Sequence, residues 1–231
     1  MFKYKKTILL ILTIILLYMH SNKVLISNAM NMSVNTIIGS IFPDEFSDSG
    51  KSISELITEQ APLIAHAGGS IDGYIYTNSF ESILNAKKHE FRFIELDLQL
   101  TIEQKIVALH NWKNFKAITN LDSTQSNALS LNEFINQKIH GRFKPLDIDD
   151  IIRFFLKNED LILITDKISA LELLGEKIPF KDRTIVEVFN INDYYRSINQ
   201  GFKYTALNID ISDRFIVEYV INNKIKNVTF P

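Results

Sequence analysis

The sequence has no cysteine in its 231 residues. That absence excludes a disulfide-stapled scaffold and any metal site built on thiolates. Net charge is also scarce, at a formal −2 at pH 7. A balanced chain lacks the basic excess of a general nucleic-acid binder, so no nucleic-acid partner is expected. Small anionic substrates stay open, because a local field can differ from the total charge. No repeat of fixed period and no long low-complexity tract occurs, which sets aside repeat architectures. A full-length membrane span needs roughly 20 apolar residues, and the apolar run TILLILTIILLYM near the start supplies thirteen.

What is present begins with that run. The three lysines of MFKYKK precede it, and Ser27 and Ala29 follow at positions suited to a cleavage site. A basic stretch ahead of a short apolar one reads as a signal peptide or membrane anchor. The expected organisation is leader or anchor at 1–29, linker or N-terminal lid at 30–60, and one folded domain at 61–231. The expected location is extracytoplasmic: secreted, periplasmic or held at a membrane through the N-terminus.

With 46% apolar residues the chain can bury one core. From LIAH onward, short apolar runs alternate with helical patterns. TNSFESILNAKKHE reads as a helix capped by Asn78 or Ser79. RFIELDLQL and KIVALHN are strands separated by only TIEQ, which reads as a hairpin. The region from Ser130 to Asn158 reads as helical, with a capping box from Ser130 to Glu133. LILITDK, TIVEVFN, KYTALNI and KNVTF are strands with helical segments between them. Such alternation predicts an α/β fold with parallel crossovers, a TIM-like (β/α) barrel. Seven strands are counted where a full barrel has eight, so the barrel is expected to be incomplete.

Glu95 and Asp97 in IELDL lie two apart on a strand, so both side chains share one face. Ile94, Leu96 and Leu98 take the other. Two carboxylates on an otherwise buried strand fit a hard divalent cation, Mg²⁺ or Ca²⁺; a solvated edge is the blander alternative. His66 and His110 each end an apolar strand. Two parallel strands delivering imidazoles at their C-terminal ends would place an acid and a base at a barrel mouth. Trp112 either walls a substrate pocket or packs its loop. Tyr74 and Tyr76 stand on the loop after the first strand, with the same two options.

The ordered pieces LIAHAGG, TNSFESILNAKKH, RFIELDLQLT and IVALHNW resemble the glycerophosphodiester phosphodiesterase family, which belongs with the phosphatidylinositol-specific phospholipase C-like barrels. LILITDK resembles the family's fourth strand. The resemblance implies a phosphodiester hydrolase with His66 and His110 as the acid/base pair and a divalent metal on Glu95 and Asp97. It also places Asn78 in the site, with Asp166 as a further ligand and Lys167 as a phosphate contact. The implied partner is a small phosphodiester or a lipid head group. Three departures stand out. Ala67 replaces an arginine, as in a subgroup reading HAGG, and Asn111 replaces an aspartate. Asp166 and Lys167 are adjacent where the family spaces carboxylate and lysine two apart, so in a regular strand they would face opposite ways. Two further readings follow from these departures and from the short strand count: a non-catalytic, degenerate or C-terminally truncated barrel serving as a surface binding module, or a phospholipase-type enzyme working at a membrane.

Overall fold

A computed structural model describes residues 50–58 and 62–230. The leader expected at 1–29 and most of the segment expected at 30–60 lie outside the described residues. Among the described residues no helix is long and apolar enough to cross a membrane.

Six strands run parallel in the order β1 (Ile64–Ala65), β2 (Phe93–Leu100), β5 (Ile162–Asp166), β6 (Thr184–Val188), β7 (Tyr204–Asn208) and β8 (Val228–Thr229). Helices α1 (Phe80–Lys88), α5 (Leu171–Lys177), α6 (Ile191–Asn199) and α7 (Arg214–Asn222) fall between them. This is the TIM-barrel fold. Among the described residues no ladder joins β1 to β8, so hydrogen bonds leave the barrel open on that side.

The second half of β2 extends beyond its parallel partners and turns back through β3 (Ile106–Ala108), with Leu98 opposite Ala108. The hairpin expected from the short TIEQ link is therefore present. The expectation that the strands before His66 and His110 run parallel is corrected: four residues cannot span a crossover, so β3 is antiparallel. The helical reading of Ser130–Asn158 is also corrected. It divides into α3 (Leu131–Ile135), β4 (Leu146–Asp147) and α4 (Ile148–Leu156). His140 and Gly141 both adopt positive φ, which breaks any continuous helix, and β4 pairs antiparallel with β3.

Local chemistry accounts for the helix ends. Ser79, not Asn78, caps α1 and forms a capping box with Ser82. Ser130 and Glu133 form the expected box on α3. Asp147 accepts from the Asp150 N–H at the start of α4, whose Ile148, Ile151, Phe154 and Phe155 are buried. The helix dipole and cap explain these aspartates without a metal. Gly201, at φ 86°, closes α6 by donating to Ile198 O at 2.8 Å.

The barrel interior has an apolar floor of Phe93, Ile162, Ile164, Ile185, Tyr204 and Ala206. Ile53 and Leu56 of the preceding segment pack against this floor. Leu56 O accepts from the Arg92 guanidinium at 2.7 Å, and Lys203 O accepts from Lys51 N at 2.7 Å. Arg92 and Lys203 each stand ahead of a strand, so residues 50–58 seal the end of the barrel where the strands begin.

Gly68 fixes the start of the loop that follows β1. Its φ is +80°, and a Cβ there would collide with the Ser82 hydroxyl. That hydroxyl accepts from Ser79 N at 3.2 Å and donates to Ser79 O at 2.8 Å. Gly68→Ala is expected to lower stability by about 2 kcal/mol or more, from strain and a displaced cap. Chemical denaturation measures it, and a change under about 0.5 kcal/mol would contradict this account.

Candidate active site

β2 places Glu95 and Asp97 on its inner face, two and four residues beyond Phe93 of the floor. Ile94, Leu96 and Leu98 are fully buried on the opposite face. Asp166 lies directly across from Asp97 in the β2–β5 register. One carboxylate oxygen from each of Glu95, Asp97 and Asp166 comes within 4.8 Å of the others.

The LIAHAGG stretch then delivers two things to this cluster. Ala67 is in the left-handed region at φ 50°, followed by Gly68 and Gly69, also at positive φ. This turn aims the Ala67 N–H at Glu95 Oε2, 2.6 Å away. It also leaves His66 Nδ1 3.0 Å from the same oxygen, with the imidazole largely exposed. Ala67 O in turn accepts from Asn78 N at 3.0 Å.

Asn78 is fully buried and itself in a left-handed conformation, φ 46°. Because Ser79 does the capping, the Asn78 side chain is free to hold Asp97 twice. Its Nδ2 donates to Asp97 Oδ2 at 2.8 Å, and its Oδ1 accepts from Asp97 N at 3.0 Å. Asn78→Ala would leave a buried carboxylate oxygen and a backbone N–H unpaired. The expected cost is about 2–4 kcal/mol, read from urea unfolding of the metal-free protein. A loss below about 0.5 kcal/mol would show that this double hold is not needed.

The hairpin brings His110 to the other side of Asp97. Leu109 N donates to Asp97 O at 2.9 Å, so the descending strand reaches the carboxylates. His110 Nδ1 is 3.3 Å from Asp97 Oδ1 and 2.9 Å from Lys167 Nζ. Lys167 also donates to Asp97 Oδ1. The adjacency of Asp166 and Lys167 is thus reconciled. β5 ends at Asp166, and Lys167 takes a left-handed turn at φ 59° that swings its side chain back to the same face. A non-glycine residue held this way costs about 1–2 kcal/mol, and such strain concentrates at functional sites.

Tyr76 stands between the histidines. Its ring is edge-on to His66 at 5.0 Å and to His110 at 5.8 Å. Tyr74 instead stacks on His140 at 4.2 Å and packs the loop. The expectation of a pocket wall at Trp112 is corrected. Asn111 caps α2 (Trp112–Ile118), and the indole turns into an apolar cluster, edge-on to Phe115 and Phe134. That cap also gives Asn111 a structural task at the position where the resemblance has aspartate.

The electrostatics separate the three carboxyls. Burial, and then the charge of Asp97, push the Glu95 carboxyl up to about 8 against the opposing Ala67 N–H. Burial, with help from Asp97 and Glu187, pushes Asp166 up to about 6 although Lys167 opposes it. Burial acts upward on Asp97 too. There the hydrogen bonds from Lys167 and Asn78 and the lysine charge outweigh it, holding that carboxyl below the ordinary aspartate value.

The donor set fits a divalent cation. Glu95 Oε1 and Asp166 Oδ1 are buried with no hydrogen-bond partner among the described residues. Orphaned buried acceptors are costly, and a hard cation favours such oxygen ligands.

The sequence reading missed one part of this mouth. Glu187 and Asn208 continue the polar layer around the barrel, and the Thr229 hydroxyl joins them. The available signal was a lone charged residue in the otherwise uncharged strand TIVEV, two positions after a floor residue.

An α/β barrel with catalytic-type groups at the C-terminal ends of its strands is the architecture of a large class of hydrolases, and this one falls among the phosphoric diester hydrolases. The profile of the "Glycerophosphoryl diester phosphodiesterase family" matches residues 66–212, and the chain belongs to that family. The fold is shared with a candidate glycerophosphodiester phosphodiesterase from Galdieria sulphuraria, at 16% identity and TM-score 0.60 over 74% of this chain and 76% of that one. A glycerophosphoryl diester phosphodiesterase from Parabacteroides distasonis is 18% identical, with TM-score 0.57 over 78% of this chain and 68% of its own. A phosphodiesterase from Oleispira antarctica, solved with the product sn-glycerol-3-phosphate, is 14% identical, with TM-score 0.59 over 74% of each chain. No curated protein sequence matches the chain significantly.

Proposed function

We propose that the chain is an extracytoplasmic, metal-dependent phosphodiesterase that hydrolyses a glycerophosphodiester-like substrate to an alcohol and a phosphomonoester. The observation that carries this reading is the pair of orphaned oxygens, Glu95 Oε1 and Asp166 Oδ1, in a carboxylate cluster where His66 meets Glu95 and His110 meets Asp97. Glu95, Asp97 and Asp166 would hold Mg²⁺ or Ca²⁺. When bound, that cation supplies positive charge to the phosphate oxygens and lowers the barrier to attack.

The residues divide the remaining work by their hydrogen bonds. His66 Nδ1 faces the Glu95 carboxylate and is the donor there, which leaves Nε2 with its lone pair toward the mouth. His66 is thus the base that takes the proton of the attacking hydroxyl, the one neighbouring the ester on the glycerol, and the cyclic diester formed as the alcohol departs is then opened by water to the phosphomonoester. Asp97 Oδ1, 3.3 Å from His110 Nδ1, can accept from the protonated ring, and Lys167 Nζ stands 2.9 Å from the same nitrogen. In its imidazolium form His110 is the acid that gives its Nε2 proton to the departing alcohol and is left neutral. Lys167 also adds fixed positive charge beside Asp97, which favours the anionic substrate. Asn78 positions Asp97 and touches nothing that reacts. The basic and apolar leader at 1–29 supports export or anchoring, since such segments direct secretion.

The test is a rate measurement on purified protein from residue 30 onward. Glycerophosphodiesters are supplied after EDTA treatment, then with Mg²⁺ or Ca²⁺. Turnover that requires one of these ions supports the proposal. Undiminished turnover in EDTA, or none on any diester with either ion, overturns it.

A further inference from the structure

One side chain at the barrel mouth takes no part in the proposed chemistry and still meets both imidazoles. The Tyr76 ring lies 5.0 Å from His66 and 5.8 Å from His110, at interplanar angles of 89° and 67°. It is 47% exposed, so it adds little to the core. Its backbone sits in the left-handed region at φ 57°. Bulky residues rarely adopt that conformation, which glycine takes freely. The backbone alone therefore gives no reason for an aromatic ring here.

The chain on either side of Tyr76 is built to hold it. Ile71 and Tyr74 exchange backbone hydrogen bonds at 2.9 and 2.8 Å across Asp72 and Gly73, both at positive φ. This is a tight turn of the kind an Asp-Gly pair favours. Two contacts tie it to a second turn, the one closed by Ile139 and Phe143. Asp72 pairs with the Arg142 guanidinium, and the Tyr74 ring stacks on His140 at 4.2 Å. Ile139 and Phe143 are themselves buried in the cluster around Phe134, which makes that turn a firm anchor. After Tyr76, Thr77 is buried, and its hydroxyl lies 3.0 Å from that of Ser79, the cap of α1. The imidazoles have a use for such a fixed ring. Polar contacts reach His66 and His110 at Nδ1. A ring held at one nitrogen can rock about it, and Nε2, the atom that moves the proton, then swings. A rigid ring set steeply against both imidazoles limits that motion. Misplacement by about 1 Å can cost about 100-fold in rate.

We propose that Tyr76 is a positioning residue. Its ring, delivered by the Ile71–Tyr74 turn and the anchor beneath it, holds the His66 and His110 imidazoles in line for proton transfer. This rests on the phosphodiesterase reading above. It adds a residue that acts through the two histidines and a turn that acts through that residue.

The experiment measures kcat and KM on a glycerophosphodiester in saturating Mg²⁺ or Ca²⁺. It compares the wild-type protein with Tyr76→Phe, Tyr76→Ala, His140→Ala and the double variant Tyr76→Ala/His140→Ala. Tyr76→Ala is expected to lower kcat about 10–100-fold with KM within about threefold. Tyr76→Phe keeps the ring and is expected to stay within about threefold of the wild type in both constants. His140→Ala loosens the turn and is expected to lower kcat about three- to tenfold, with no further loss when added to Tyr76→Ala. Thermal unfolding is expected to leave each Tm within about 3 °C of the wild type. Tyr76→Phe as slow as Tyr76→Ala would give the role to the hydroxyl. A rise in KM alone would make Tyr76 a substrate contact, and a kcat loss that follows a large drop in Tm would make it ordinary packing. Additive losses in the double variant would detach the turn from the ring. Each of these four results overturns the proposal. Should the wild type turn over no diester, the phosphodiesterase reading fails, and NMR relaxation of isotope-labelled histidine rings decides the positioning separately. Rings of His66 and His110 more mobile in Tyr76→Ala than in the wild type and Tyr76→Phe sustain it. Unchanged mobility rejects it.

Discussion

His66→Ala and His110→Ala are each expected to lower kcat on a glycerophosphodiester by about 10²–10⁴-fold, the usual contribution of a positioned acid or base. Stability is expected to stay within about 1 kcal/mol, because the His66 and His110 side chains are 57% and 34% exposed. The two variants should then part company. A diester with an acidic leaving group, such as a nitrophenol, departs without a proton. His110→Ala is expected to recover much of its rate on that substrate, since it lacks only the acid. His66→Ala is expected to stay slow on both, since the attacking hydroxyl still has to lose its proton. Steady-state kinetics on the two substrates gives the answer. Recovery by His66→Ala instead would reverse the assignment, and near-normal rates in both variants would remove the histidines from the mechanism.

Metal-free protein is expected to lose stability as pH rises from about 5 to 8, the reverse of ordinary acid denaturation. The sign follows from the direction of the shifts. Glu95 is raised from 4.5 to about 8 in the folded state, and Asp166 from 3.8 to about 6. The folded chain therefore holds protons that the unfolded chain has released. Its advantage is complete below the unfolded values and disappears as pH climbs through the folded ones. Asp97 is held low and acts oppositely, so its contribution is lost at acid pH, below about 4. Relaxation reduces the cost of a buried carboxylate, leaving about 2–4 kcal/mol for the Glu95 effect. That corresponds to a fall in Tm of several degrees, about 5–10 °C. A divalent cation requires the ionised carboxylates, so its stabilising effect should grow over the same interval. Glu95→Gln should flatten the metal-free profile, raise Tm at pH 8, and abolish the gain from added Mg²⁺ or Ca²⁺. Thermal scans in EDTA and in metal, at pH 5 and pH 8, check all of this. A metal-free Tm that rises steadily toward pH 8 would contradict it.

The carboxylate pair was legible because a strand's two-residue period is rigid. Glu95 and Asp97 must share a face wherever β2 lies, and the buried alternates Ile94 and Leu96 decide which face is which. The histidines were legible as strand ends. The direction of the strand before His110 was not fixed by that alone, and link length turned out to govern it. Lys167 shows the opposite limit. Alternation sends it away from Asp166, and only its left-handed turn, imposed by the end of β5, returns it. Proximity in sequence misled at Trp112, two residues from His110, because the Asn111 cap starts a helix that rotates the indole into the core. β4 is too short to show any period, so its two residues were absorbed into a helical reading. Glu187 and Asn208 needed the barrel's register. In sequence each is a single polar residue near the end of an apolar strand, indistinguishable from a solvated one.

The most direct measurement is a crystal structure of the protein soaked with Mn²⁺ and a phosphate analogue, with anomalous maps recorded at the manganese edge. The expected result is one strong peak among Glu95, Asp97 and Asp166, with carboxylate oxygens at about 2.0–2.6 Å. The analogue's phosphate should lie between His66 and His110. An empty carboxylate cluster in crystals that hold manganese elsewhere, or a phosphate bound away from both imidazoles, would contradict the account.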